Sequence, residues 1–222
     1  MLTKPIMKKN IILALVLAVM LCALGVTLVR RQASRTVSRP IGYTIVFQTT
    51  GYDLEGNFRP VEMETRYVSA QGNFRGVKHE FIHGREKVWF GETGRGQFLV
   101  KPNEKQLDYV SQFEPTVRTM EILRTSKDFN RIEKVAGYDA AVMRMYHPGL
   151  PENSYDDIYY APALNGDLIK LVSMREGQLH LLVEPIAIVK GEPDPANLAH
   201  EEYPVDTTRF EEMHRPEQAE PK

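Results

Sequence analysis

The chain has 222 residues, with 28 Lys and Arg against 29 Asp and Glu, a formal net charge of −1. Beyond its first 40 residues it carries no basic stripe, which argues against nucleic-acid binding by the folded part. The only cysteine, Cys22, sits in an apolar run, so the rest of the chain has no disulfide framework, no Cys-based zinc site and no thiol nucleophile.

Residues 11–29 (IILALVLAVMLCALGVTLV) carry no charge. As a helix this run spans about 28 Å, the thickness of a bilayer's hydrocarbon core. Lys8 and Lys9 precede it and Arg30 and Arg31 follow, on a segment (1–40) with seven basic residues and no acid. Residues 1–39 therefore read as a signal-anchor, with basic flanks suited to lipid head groups. A cleaved signal peptide starting near Met7 and ending by Ala23 and Gly25 is the alternative, and a lipoprotein anchor on Cys22 fits poorly beside the bulky Leu21. All three readings export the domain. Similar basic counts on either side leave the orientation unfixed.

From Pro40 the period becomes two. Ile41, Tyr43, Ile45 and Phe47 alternate with polar neighbours, and after a loop at 51–60, Val61, Met63, Thr65 and Tyr67 alternate with Glu62, Glu64 and Arg66. Short strand-like runs then follow at 74–83, 87–90, 97–100 and 106–110, parted by glycine-rich turns, as in an antiparallel meander. Pro115, with Val117, Met120 and Leu123 at a spacing of three, predicts one short helix ending near Ser126. Strands resume at 131–135, 140–146, 158–160 and 168–174, with a last hairpin strand at 178–183 that can extend to Val189. Residues 191–222 hold nine acids against three bases and five prolines. That composition predicts a largely disordered acidic tail, of which parts such as Tyr203 or Phe210 can lie against the domain, after an extracytoplasmic β-rich domain over 40–190.

Three local patterns invite chemistry. His79-Glu80-Phe81-Ile82-His83 matches H-E-x-x-H, whose two histidines ligate zinc when a helix places them on one face. Here Gly76 and Gly84 bracket a strand-like segment, so a strand is expected. Asp53, Glu55, Asn57 and Glu64 have calcium-loop offsets, but Phe58 stands where such a loop needs glycine. A hairpin loop is expected. Asp156-Asp157, among Tyr155, Tyr159 and Tyr160, reads as a solvated loop end; neighbouring strand residues point to opposite faces, so the two carboxylates need not converge. The aromatic and apolar residues Tyr43, Phe47, Tyr67, Phe74, Phe81, Trp89, Phe98, Tyr109, Val142 and Leu181 are the material for an interior. If the sheet curves without a second sheet to cover it, Phe47, Tyr67, Trp89, Phe98 and Tyr109 would line an apolar concave face.

Two stretches carry a family resemblance. Gly84-Arg85-Glu86-Lys87-Val88-Trp89-Phe90 with Pro102-Asn103-Glu104-Lys105-Gln106 comes first. After the helical segment come Val135-Ala136-Gly137-Tyr138 and Val142-Met143-Arg144. In this order of elements, over about residues 41–190, the chain resembles the outer-membrane lipoprotein carrier/lipoprotein-sorting (LolA-like) superfamily. The resemblance implies a strongly curved, half-barrel-like antiparallel sheet whose apolar side holds acyl chains or a partner segment. It carries over no catalytic residue, because that superfamily's members bind rather than react. The chain lacks the long helix that usually precedes their first strand.

The leading expectation is thus a mainly β, membrane-anchored, extracytoplasmic binding domain, non-enzymatic and without a cofactor. Its partner would be lipid, lipoprotein or an envelope protein, and its site the inner membrane facing the periplasm. A zinc hydrolase using His79, Glu80 and His83 is the first alternative. A structural subunit of an envelope complex, touching its partner through the tail, is the second.

Overall fold

A computed structural model describes residues 40–213. The anticipated anchor at 11–29, its flanks and residues 214–222 lie outside the described residues. Among the described residues no helix is long and apolar enough to cross a membrane.

The described residues form one open sheet of twelve strands. β1 (Tyr43–Tyr52), β2 (Phe58–Val68), β3 (Phe74–Glu80), β4 (Arg85–Glu92), β5 (Gly96–Lys101) and β6 (Gln106–Ser111) run as a meander, each antiparallel to the one before. The chain then crosses through α1 (Met120–Arg124). A second meander follows, made of β7 (Phe129–Val135), β8 (Tyr138–Tyr146), β9 (Tyr155–Ala161), β10 (Asp167–Arg175) and β11 (Gln178–Lys190). β11 returns to pair with β1, so the two meanders fuse at the middle of the sheet. A 3₁₀ turn (Pro162–Leu164) joins β9 to β10. After β11 come α2 (Pro195–Leu198), the two-residue strand β12 (Val205–Asp206) parallel to β6, and α3 (Thr208–Met213).

The period-two stretches become strands because alternation leaves one face to bury. Along β1, Tyr43, Ile45, Phe47 and Thr49 are all buried while the residues between them are half-exposed. The turns obey φ/ψ chemistry: Ala136 and Gly137 both have positive φ, the two-residue hairpin geometry that follows the right-handed strand twist. The largest core cluster joins Tyr43, Ile45, Phe47 and Val68 to Ala140, Val142, Tyr159, Ala161, Leu164 and Ile169. A second holds Phe90, Phe98, Val100 and Leu107, and a third places Leu123 of α1 on Ala141 and Met143.

Four sequence expectations need correction. The helix begins at Met120, later than Pro115 suggests, because the Thr119 hydroxyl accepts the Ile122 amide as N-cap, while Phe113 packs on Phe74 and the Arg118 amide donates to the Asn165 carbonyl. The run 74–83 ends as a strand at Glu80, and residues 81–84 form the turn. Asp156 and Asp157 lie within β9 rather than at a loop end: arginines on neighbouring strands neutralise them, which lets the strand continue. Residues 191–213, of which only parts such as Tyr203 or Phe210 are expected to touch the domain, lie along β2–β6 throughout. His200 and Tyr203 supply enough aromatic surface to hold them there despite the acidic composition.

Candidate functional site

Directly opposed residues of antiparallel strands share a face, so the registers of β1–β6 sort every side chain. One row reads Ile45, Arg66, Gly76, Trp89, Leu99, Asp108. Beside it on the same face run Phe47, Glu64, Lys78, Lys87. The row Thr44, Tyr67, Arg75, Phe90, Phe98, Tyr109 belongs to the other face. The five residues expected on one apolar surface therefore separate. Phe47 and Trp89 share a face; Tyr67, Phe98 and Tyr109 line up on the opposite one, with Tyr109 also reaching the edge of a pocket described below. No count of apolar residues reveals this split, because a one-residue change in hairpin register exchanges the faces.

On the Trp89 face the indole lies flat over Gly76, where even a Cβ would come within 2.6 Å of the ring. That glycine gives the indole its seat. Trp89 divides two pockets. The first, about 340 Å³, is lined by Arg66, Val68, Phe74, Trp89 and Asp167 and roofed by residues 113–118. Phe113 meets Phe74 edge-to-face at 5.1 Å, and the Arg118 amide donates to the Asn165 carbonyl at 2.9 Å. The roof is thus tied down at both ends. On its floor, Arg66 pairs with the buried Glu64 at 2.6 Å and lies over the Phe47 ring. Beside it the Tyr43 phenol donates to Asp167; burial, followed by the charge of that carboxylate, raises the phenol well above its ordinary range.

The second pocket, about 480 Å³, is mainly apolar and more open. Trp89, Leu99, Val110 and the stems of Lys78 and Lys87 line it. Both ammonium groups are already paired, Lys78 with Glu62 at 2.8 Å and Lys87 with Glu80. The two pockets flank the half-buried indole, and the apolar one has its lining charges neutralised within the fold. Such a surface can hold a hydrocarbon chain without leaving a buried charge unpaired.

The H-E-x-x-H residues are placed otherwise. His79 and Glu80 are successive strand residues and His83 is in the turn, so the helical face on which zinc ligation depends is missing. His79 lies 3.4 Å from Glu86, and the hydrogen bond from Lys87 holds the Glu80 carboxyl below the usual range, already committed. Among the described residues no group of three His, Cys, Asp or Glu side chains is arranged to hold a metal. Asp53 caps its own turn, accepting the Glu55 and Asn57 amides at 2.9 and 2.8 Å and pairing with Arg59, while Glu64 serves Arg66. The calcium offsets do not converge.

The opposite face is covered by the C-terminal segment. His200 stacks on Phe90 at 3.7 Å, nearly parallel, while its Nε2 meets Glu92 at 2.9 Å. Tyr203 packs on the Phe90–Phe98 cluster, and Phe210 meets Tyr109 edge-on. Tyr67, Phe98 and Tyr109 are therefore on the side where the C-terminal segment packs, and among the described residues the open surface is around Trp89. Sequence reasoning missed Gly76, Leu99 and the 113–118 roof; Pro115 was visible, but as a helix start.

No protein-family model matches the chain. No curated protein matches it either. Several solved structures do. An uncharacterized conserved protein from Thermus thermophilus aligns with 75% of this chain and 90% of its own at 11% identity and a TM-score of 0.46. A LolA superfamily protein from Nitrosomonas europaea aligns with 73% of this chain and 91% of its own, at 8% identity and a TM-score of 0.36. A putative outer membrane lipoprotein-sorting protein domain from Vibrio parahaemolyticus aligns with 77% and 94%, at 10% identity and a TM-score of 0.31. Two of these neighbours bear the name of the superfamily that the sequence resembles. What this chain binds has to follow from its own residues.

Proposed function

We propose that the domain is a non-enzymatic binding module whose trough around Trp89 receives the apolar chain of a lipid or of an acylated polypeptide. The observation that carries this reading is the open trough itself. Trp89, Leu99 and Val110 present apolar surface in the second pocket, and each charged residue lining that pocket, Lys78, Lys87 and Asp108, already has a partner. The module works outside the cytoplasm of a single-pass inner-membrane protein, held by the uncharged run 11–29 with its basic flanks.

Trp89 is the only tryptophan of the chain, so its fluorescence reports this trough alone. With the full chain in amphipol, titration with a dibromo fatty acid is expected to quench Trp89 saturably, and Leu99→Glu to abolish the quenching. Unchanged fluorescence, or equal quenching in the variant, would reject the trough as the site. Labelling of lysines by a membrane-impermeant reagent on intact spheroplasts tests the side of the membrane.

A further inference from the structure

The sheet has two ends of very different kind. One is β12, two residues long. The other is β7, seven residues long and paired, among the described residues, with β8 alone. An exposed strand edge of that length is a template for another strand. The β7–β8 hairpin closes through Ala136-Gly137, with Val135 opposite Tyr138 as the flanking pair. Hydrogen-bonded pairs alternate from that turn, so the backbone groups of Val135, Glu133 and Arg131 face β8, and those of Ile132 and Lys134 face outward.

We propose that this edge joins a second copy of the same chain, antiparallel and two-fold symmetric about Ile132, making one continuous sheet across the pair. The sequence of the edge selects both the occupant and the register. Centred on Ile132, the outward-facing backbone groups meet as a hydrogen-bonded pair, with Ile132 beside Ile132 of the second copy. Arg131 then opposes Glu133 of the second copy, and Glu133 opposes its Arg131. These sit at the non-hydrogen-bonded positions, where opposed side chains come closest.

The neighbouring registers that use outward-facing groups, centred on Glu133 or on Lys134, set two glutamates or two lysines against each other. Charge thus favours the first. Within one chain Arg131 already bridges Glu133 at 2.9 Å and Asp157 at 3.2 Å. Pairing would extend this into an alternating row of four charges rather than create an unpaired one. Ile132 is 40% exposed, an apolar side chain left open at the centre of the edge. Because the contact is isologous and β12 is short, assembly closes at two copies.

The experiment is a cysteine cross-link on the full chain in amphipol, with Cys22→Ser as background. A hydrogen-bonded antiparallel pair holds its Cα atoms about 5.5 Å apart, inside the range a disulfide spans. Ile132→Cys is expected to form a disulfide-linked pair of 25.4 kDa chains on mild oxidation, while Leu54→Cys, at the most exposed apolar site, is not. Ile132→Pro removes only an outward N–H, so it should leave the circular dichroism of the monomer intact and shift sedimentation from two copies to one. Equal cross-linking at 132 and 54, wild-type sedimentation as a single copy at all concentrations, or a dimer that persists in Ile132→Pro would each overturn the proposal. If the proline variant loses its folded spectrum, the cysteine comparison decides alone.

Discussion

Asp157 shows how single residues of this sheet are held. Its side chain is 5% exposed and accepts from Arg144 Nε at 2.7 Å, Arg144 Nη2 at 2.7 Å and Arg131 Nη1 at 3.2 Å. Burial alone would raise its pKa, but the arginine hydrogen bonds outweigh burial and hold the carboxyl below its ordinary range. A depressed folded-state pKa contributes stability that is complete above the unfolded value, near 4, and is lost as pH falls through the folded one. Asp157→Asn is therefore expected to cost about 2 kcal/mol at neutral pH. The figure lies below that for a fully buried pair because both arginines keep some solvent. The variant should also flatten the acid limb of the stability curve below about pH 4. Urea denaturation across pH checks both, and an unchanged acid limb would mean that other carboxylates set it. Asp156, the neighbouring residue, pairs instead with Arg175 at 2.9 Å and His147 at 3.0 Å. The sequence showed two adjacent carboxylates; only the pairing of β8, β9 and β10 decides which arginine each meets.

At the scale of elements, strands were legible and coverings only in part: Tyr203 and Phe210 stood out as residues able to lie against the domain, and His200 did not. Alternation such as Val61, Met63, Thr65, Tyr67 is a local signal, and β2 follows it. Which face of a strand is covered is a long-range property. The tail is the clearest case: acids and prolines dominate 191–222, yet three contacts place its first part. The His200 ring lies on Phe90, Tyr203 lies on the cluster beneath, and the Leu107 amide donates to the Pro204 carbonyl at 2.9 Å. Average composition cannot register a few well-spaced anchors among polar residues. Ending the chain at Lys190 is accordingly expected to uncover Phe90, Phe98, Val100 and Leu107. It should cost about 3 kcal/mol or more and raise binding of an apolar dye. His200→Ala alone should cost about 1 kcal/mol, the scale of one aromatic stack. Both are read from thermal denaturation, and a truncated chain of full stability would make the segment a passive covering.

For the whole molecule, the decisive feature is that the first and last long strands meet. β1 ends at Tyr52 and β11 begins only at Gln178, so no short-range pattern could announce their pairing, although each was separately legible as a strand. Their union turns two meanders into one sheet and places a row of large buried side chains, Tyr43, Ile45 and Phe47 at 1% exposure each, at its centre. Opening β1 breaks ladders on both sides and bares that row, whereas opening an outer strand breaks one ladder. Amide exchange should follow this order. Ile45 to Thr49 and their β11 partners are expected to exchange slowest, at the rate of global unfolding, and β12 to exchange faster by at least about a hundredfold. The amides of Ile132 and Lys134, outward on β7, should exchange fast in dilute samples and slow as concentration rises if the edge pairs. Peptide-resolved hydrogen exchange over a concentration series measures all of this at once. Slower exchange in β3–β4 than in β1–β11 would mean that the first meander is a stable unit by itself, with the central junction its weaker attachment.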